Sequence, residues 1–181
     1  LIFLHGFGGN FTLQCWLVGQ TAQELGMLTV CPATRFDGYW WGENGERSLE
    51  ITLDYLKDRG VQQVFLAGLS NGGIGASRLA PDLANEIDGL ILISGVDPGA
   101  EQSGLPVLVI HAAGDERIPV STDRRYAGQD GELGTYVEYD GDHFLLAKRA
   151  DEVLPEIQAW LFAQAVPGLG EAEDWDEFSA P

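Results

Sequence analysis

The sequence predicts an α/β domain, a minimal three-layer sandwich in which about six mainly parallel strands are covered by helices on both faces. Three observations carry this. Strand-like and helix-like periodicities alternate along the chain, the pattern that builds a parallel sheet. The stretch from Leu90 to Val96 is apolar but short, which reads as a buried strand. The length of 181 residues suits one domain with one sizeable core.

The elements follow in order. Residues 1–4 form the first strand and residues 5–10 a loop. A helix covers residues 13–25 and stops at Gly26; residues 27–31 are the second strand, closed by Pro32, which lacks an amide donor. Residues 33–45 show no clear period and carry Phe36, Tyr39, Trp40 and Trp41 among glycines and charges, so they read as a loop. Residues 46–57 are a helix, stopped by Gly60. A strand over 61–69 runs into a helix over 71–83. Strands follow at 88–94 and 107–111, then a short helix at 119–127 and a last strand at 135–139. Residues 144–165 form the closing helix, with a kink expected at Pro155. This gives one domain over residues 1–165 and an acidic C-terminal tail over 166–181.

Charge excludes some functions. The formal net charge is −18, from 28 acidic against 10 basic residues. Nucleic acid and anionic lipid both require clustered Lys and Arg, so neither is expected as a partner. Five acids (Glu171, Glu173, Asp174, Asp176, Glu177) lie in the tail, and removing those five from −18 still leaves −13. No apolar run approaches the ~18 residues a membrane helix needs. The compartment stays open between cytoplasmic and secreted, and so does the oligomeric state. Cys15 and Cys31 form no CxxC pair. One lies early in a helix and the other near the end of a strand, so a disulfide and two buried free thiols are both admissible.

The strongest motif is Gly68-Leu69-Ser70-Asn71-Gly72, followed by Gly73. It sits between an apolar strand and a helix-competent stretch, the strand–turn–helix context of a G-x-S-x-G elbow. So tight a turn strains the serine backbone and crowds the residues two before and two after it, which must be small. It leaves the hydroxyl projecting beyond the sheet, at the N-terminus of the following helix, where amides favour developing negative charge. The alternative is a Gly-Ser turn without chemistry.

With His5-Gly6-Phe7-Gly8-Gly9 after the first strand and Gly68 to Gly73 at the elbow, the chain resembles the α/β-hydrolase superfamily. The similarity lies with small lidless esterases and lipase-like serine hydrolases, including polyester-depolymerase-like and feruloyl-esterase-like enzymes. It runs over about residues 1–165; the two further strands usual before this point in the family are absent from the sequence, and residues 1–4 would match the strand that lies in mid-sheet in the family. The resemblance assigns Ser70 as nucleophile and the amides of Phe7 and Asn71 as oxyanion-hole donors. It assigns Asp115, in Gly114-Asp115 with Ile118-Pro119 after it, as the acid, with Glu116 and Asp97 as fallbacks. His143, in Asp140-Gly141-Asp142-His143, is the implied base. Of the other histidines, His5 reads as a structural residue of its loop and His111 as a packed residue at a strand end. The order Ser, Asp, His is the one expected of this superfamily.

The implied activity is carboxylic-ester hydrolysis through an acyl-enzyme, with no metal or organic cofactor and a small-molecule ester as partner. A serine peptidase or thioesterase on the same three residues, and a non-catalytic hydrolase-like binding domain, are the alternatives. Only residues 95–104 separate two strands where a lid would enter, too few for a lid domain, so the cleft is expected to be open. Gly6, Gly8, Trp40 and Trp41 are candidates for substrate contact, with Asn10, Phe11 and Gln14 beside them. The loop aromatics either stack on substrate or plug the space beside the first strand.

Overall fold

The computed structural model describes residues 1–8, 11–128 and 134–165. Five strands, β1 (Ile2–Leu4), β2 (Phe65–Leu69), β3 (Gly89–Ile93), β4 (Val107–Ala112) and β5 (Gly134–Tyr139), form one sheet in that order, every pair parallel. The helices are α1 (Phe11–Glu24), α2 (Glu43–Lys57), α3 (Asn71–Leu83), the short α4 (Gly99–Gln102) and α5 (Leu145–Lys148), and α6 (Ala150–Ala165).

Alternation along the strands divides the core between two faces. Phe3, Phe65, Ala67, Ile91, Ile93, Leu108 and Ile110 pack with α1, α5 and α6. Their neighbours Ile2, Leu4, Leu66, Leu90, Leu92 and Val109 pack with α2 and α3. Both faces of β1 to β4 are therefore buried, while β5 at the sheet edge is partly exposed. At ~25 cal/mol per Å² of apolar surface removed from water, each fully buried Leu or Ile contributes about 1.5–3 kcal/mol of gross stabilisation.

Several boundaries differ from the sequence expectation, each for a local reason. Residues 27–31 do not form a strand. Only Val30 pairs, as an isolated parallel bridge to Ile2. The Met27 amide is already committed to closing α1 on the Ala22 carbonyl (2.8 Å), and Pro32 has no amide to give, so too little backbone remains for a ladder. The strand expected over 61–69 begins only at Phe65. Val61 donates to Leu56 at the end of α2, and Val64 to the Asp88 carboxylate (2.7 Å). The helix expected over 119–127 is a 3-10 turn, Asp123–Gly128, anchored by the Asp123 and Arg124 amides on the Val120 carbonyl.

The closing helix breaks at Arg149 (φ −128°, ψ 35°), not at Pro155, which α6 accommodates. Arg149 is held off the helix axis by its bonds to the Asp140 carbonyl and the Glu152 carboxylate. Cys15 and Cys31 form a disulfide (Cα–Cα 6.1 Å) that ties α1 to the segment beside β1. No described helix is long and apolar enough to cross a membrane. The acidic tail, residues 166–181, lies outside the described residues.

Candidate active site

The site is assembled at the carboxyl ends of the strands, where three connections meet. The first is the turn from β2 into α3. Ser70 has φ 57° and ψ −119°, a conformation that L-residues rarely adopt. It is held there from both sides: its amide donates to the Ile93 carbonyl (2.8 Å), and its own carbonyl accepts from Ile74 (3.0 Å). A Cβ on Gly68 would overlap the backbone of Gly72, and one on Gly73 the carbonyl of Gly95. The small residues are thus demanded by backbone contact.

The second connection follows β1. Gly6 lies flat against the elbow: a Cβ there would come 2.9 Å from the Leu69 carbonyl oxygen and 3.0 Å from the Ser70 Cβ. Gly8 takes φ +63° and donates to the Phe36 carbonyl (2.8 Å). Between these glycines Phe7 is 65% exposed, its ring edge-on to Phe36. The Asn71 side chain donates to the Asp37 carbonyl (2.8 Å), so the elbow, the β1 loop and the 35–38 segment form one interlocked unit.

The third connection joins the loops after β4 and β5. Ala113 donates to the Tyr139 carbonyl (2.8 Å) and Gly114 to that of Gly141 (3.1 Å), which sets the two loops side by side. Asp115 on one loop then meets His143 on the other. His143 Nδ1 lies 2.7 Å from Asp115 Oδ2, and His143 Nε2 lies 2.9 Å from Ser70 Oγ. An ionised carboxylate only accepts, so Nδ1 carries the proton and donates, while Nε2 faces the serine hydroxyl as acceptor. Asp115 Oδ1 accepts from the amides of Arg117 (2.8 Å) and Ile118 (3.0 Å). Burial pushes the Asp115 carboxyl up, but the Ile118 amide, His143 and the Arg117 amide outweigh it and hold the group below its usual range.

A fourth side chain reaches the same carboxylate. His111 Nε2 is 2.9 Å from Asp115 Oδ2, and His111 Nδ1 is 2.5 Å from Asp123 Oδ2. Both His111 and Asp123 are completely buried. Burial opposes charge on His111, but the Asp123 and Asp115 carboxylates outweigh it and raise the imidazole above its ordinary value. The sequence reading of His111 as merely packed misses this contact. The available signal was a histidine inside the wholly buried strand β4, where an imidazole requires polar partners.

A cleft of about 320 Å³ opens beside Ser70 and His143. Gly6, Phe7, Gly8 and Gln14 line it, and Leu13, Leu17, Phe144 and Leu146 supply an apolar wall from α1 and the start of α5. Periodicity alone could not mark that wall, since the same residues serve as ordinary helix apolar positions.

Other candidates fall elsewhere. Trp40 is corrected: it is 0% exposed, donates Nε1–H to the His5 carbonyl (2.8 Å) and packs edge-on to the His5 ring, so it fills space beneath the loops and meets no substrate. Trp41, half-buried, lies between Tyr39 and the Arg78 guanidinium and does not line this cleft among the described residues. Phe11 stacks on His5. Asp97 pairs with Arg78 (2.8 Å) and Glu116 is exposed, so neither fallback acid approaches His143 among the described contacts. His5 Nε2 accepts from the Thr34 amide and Nδ1 donates to the Gly6 carbonyl, a structural role; burial above all keeps its imidazole below the ordinary value. Gly9 and Asn10 lie outside the described residues. Among the described residues no group of three His, Cys, Asp or Glu is arranged to hold a metal ion.

No family model and no curated protein sequence matches the chain. Solved structures do match. Est1E from Butyrivibrio proteoclasticus is 18% identical, with a TM-score of 0.76 over 91% of this chain and 87% of that one. An α/β serine hydrolase without lid from Xanthomonas campestris is 20% identical, with a TM-score of 0.66 over 92% and 83%. A monoacylglycerol lipase from Paleococcus ferrophilus is 15% identical, with a TM-score of 0.68 over 90% and 93%. Between β3 and β4 the chain inserts only α4. With its all-parallel sheet and helices on both faces, this chain has the α/β-hydrolase fold.

Proposed function

We propose that the protein hydrolyses carboxylic esters through Ser70, His143 and Asp115. The observation that carries this reading is the imidazole of His143, within hydrogen-bond reach of the serine hydroxyl on one side and of a buried carboxylate on the other. In this reading His143 Nε2 takes the Ser70 proton as Oγ attacks the ester carbonyl. The amides of Phe7 and Asn71 receive the negative charge that gathers on the carbonyl oxygen. Each such donor is worth about 3 kcal/mol in the transition state. The imidazolium returns its proton to the departing alcohol, leaving an acyl group on Ser70. Water, deprotonated by His143, then attacks that acyl group, and the carboxylic acid leaves as Oγ regains its proton. Asp115 holds the tautomer and stabilises the imidazolium at both stages.

The apolar wall of the cleft favours an acyl or aryl group over a charged one. Structural neighbours described as a monoacylglycerol lipase and as Est1E with bound ferulic acid support esters as the substrate class. A peptidase reading has no such support, and a binding-only reading leaves the strained serine without a purpose.

The test pairs a fluorophosphonate probe with a panel of p-nitrophenyl esters and anilides. The expected result is covalent labelling at Ser70 and turnover of esters only. Folded protein that neither labels nor turns over an ester overturns the proposal, and turnover of anilides alone replaces it with a peptidase.

A further inference from the structure

Asp115 accepts more hydrogen bonds than His143 alone requires. Oδ1 is saturated by two backbone amides, yet Oδ2 accepts from two imidazoles, His143 at 2.7 Å and His111 at 2.9 Å. Behind His111 stands Asp123, completely buried, its Oδ2 paired with His111 and its Oδ1 without a hydrogen-bond partner among the described residues. Five side chains therefore run in line: Ser70, His143, Asp115, His111, Asp123.

Proton counting fixes how the inner pair works. Asp115 Oδ2 is an acceptor, so His111 Nε2 must present a proton to it. His111 Nδ1 faces the Asp123 oxygen, and a single proton lies between those two atoms. Whether it sits on nitrogen or oxygen, the His111–Asp123 pair is neutral in sum and still offers Nε2–H to Asp115. Such pairing is what a carboxylate in a dry interior needs.

The other charged or titratable groups around His111 are few. On β5, Glu138 is in register with it, but that carboxylate is engaged by Arg124 and by the Tyr136 hydroxyl. From the 3-10 turn, the buried phenol of Tyr126 feels the Asp123 charge, and burial pushes it up to about 12. His143 stands across Asp115.

We infer that His111 and Asp123 form a positioning pair for the acid of the site: the Nε2–H of His111 fixes the oxygen that orients His143 and weakens it as an acceptor. This rests on the ester-hydrolase reading above. It has two consequences. Orientation of Asp115 is set by side chains from β4 and the 3-10 turn as well as by its own loop. In addition, Asp115 stabilises an imidazolium on His143 less strongly than a carboxylate with a free oxygen would, so the base stays available at lower pH.

The test compares wild type, the paired variant His111→Leu with Asp123→Leu, and the single variant Asp123→Asn. The paired variant removes the donor and the buried charge together. It should lower kcat at least about tenfold with KM within about twofold, and move the acid limb of the kcat/KM profile up by about half a pH unit or more. Asp123→Asn is the conservative rescue: its amide can donate to His111 Nδ1 and leave Nε2–H in place, so the acid limb should stay where it is in wild type. A kcat loss in the paired variant with an unmoved acid limb overturns the proposal, because packing alone would produce that.

Nitrogen-15 spectra of His111 in the wild-type protein give an independent readout should the paired variant fail to fold. Nε2 should carry a proton throughout the pH range of activity, and an unprotonated Nε2 there also overturns the proposal. Fluorophosphonate labelling of wild type separates this from the parent reading. Failure to label sinks the hydrolase assignment, whereas labelling with an unmoved limb sinks only the role of His111 and Asp123.

Discussion

Gly72 and Leu4 meet backbone to backbone: a Cβ on Gly72 would overlap the Leu4 carbonyl oxygen at the end of β1. The first turn of α3 is thus pressed onto the neighbouring strand with no room for a methyl group. This contact, with that of Gly68 on the other side of Ser70, lets the elbow bring its serine up to the β1 loop.

Gly72→Ala should therefore destabilise the protein severely, by about 3 kcal/mol or more, because relief requires moving backbone rather than rotating a side chain. Gly60→Ala is the matched control. Its φ is +73° with nothing within 4 Å of the added Cβ, so only local strain of about 1 kcal/mol is expected. Thermal unfolding of both variants checks the contrast; similar melting temperatures would mean that the elbow tolerates displacement.

Ser70→Ala and Asp115→Asn separate chemistry from geometry. Ser70→Ala should fold as wild type and lose nearly all ester turnover. Asp115→Asn places an amide where His143 needs an acceptor, which favours the wrong tautomer, and kcat should fall by about 10³-fold or more. It also leaves His111 Nε2–H facing a weaker acceptor, so a lower melting temperature should accompany the kinetic loss. Steady-state rates and melting curves on the same preparations test both.

The extent to which the sequence disclosed this arrangement follows from how local each cause is. The elbow was legible because its glycines, its serine and its flanking strand and helix lie within about a dozen consecutive residues. Asp115 and His143 were legible as loop residues after strands, since the order of elements fixes which loops share an edge of the sheet. Residues 27–31 misled because their composition suits a strand, while the Met27 amide is claimed by α1 and the next residue, Pro32, has no amide, which leaves only the bridge at Val30. Trp40 misled because aromatic side chains in a glycine-rich loop look alike whether they face a ligand or the core. Its burial depends on Gly75 and Gly45, which leave room for it from two different helices. The His111–Asp123 contact was hidden for a similar reason: a twelve-residue separation across an irregular turn has no periodicity to reveal it.

Stability should fall on both sides of an intermediate pH, from two groups in contact. Asp115 is held below its ordinary value of 3.8, so its contribution is present above that value and is lost as pH falls through the folded-state value. His111 is held above its ordinary value of 6.5, so its contribution is complete below 6.5 and is lost as pH rises through the raised folded-state value. Melting temperatures across pH 3 to 10 should show both limbs in wild type. The variant lacking His111 and Asp123 should lose the alkaline limb, and its persistence there would assign it to another group.

The disulfide links stability to the cleft. Cys15 and Cys31 are 16 residues apart, and closing a loop of that size is worth about 3 kcal/mol through the unfolded chain. Replacing both cysteines with alanine, or reducing the wild type, should lower the melting temperature by several degrees for a domain of this size. Cys15 lies on α1 between Gln14 and Leu17, which line the cleft together with Leu13. A loosened α1 should therefore disturb the apolar wall before it disturbs Ser70, His143 or Asp115, none of which it carries. The expected kinetic signature at temperatures where the variant remains folded is a raised KM for esters with bulky apolar acyl groups. The kcat and the fluorophosphonate labelling rate should stay close to wild type. An equal loss of kcat and labelling rate would show instead that α1 helps to hold the β1 loop over Ser70.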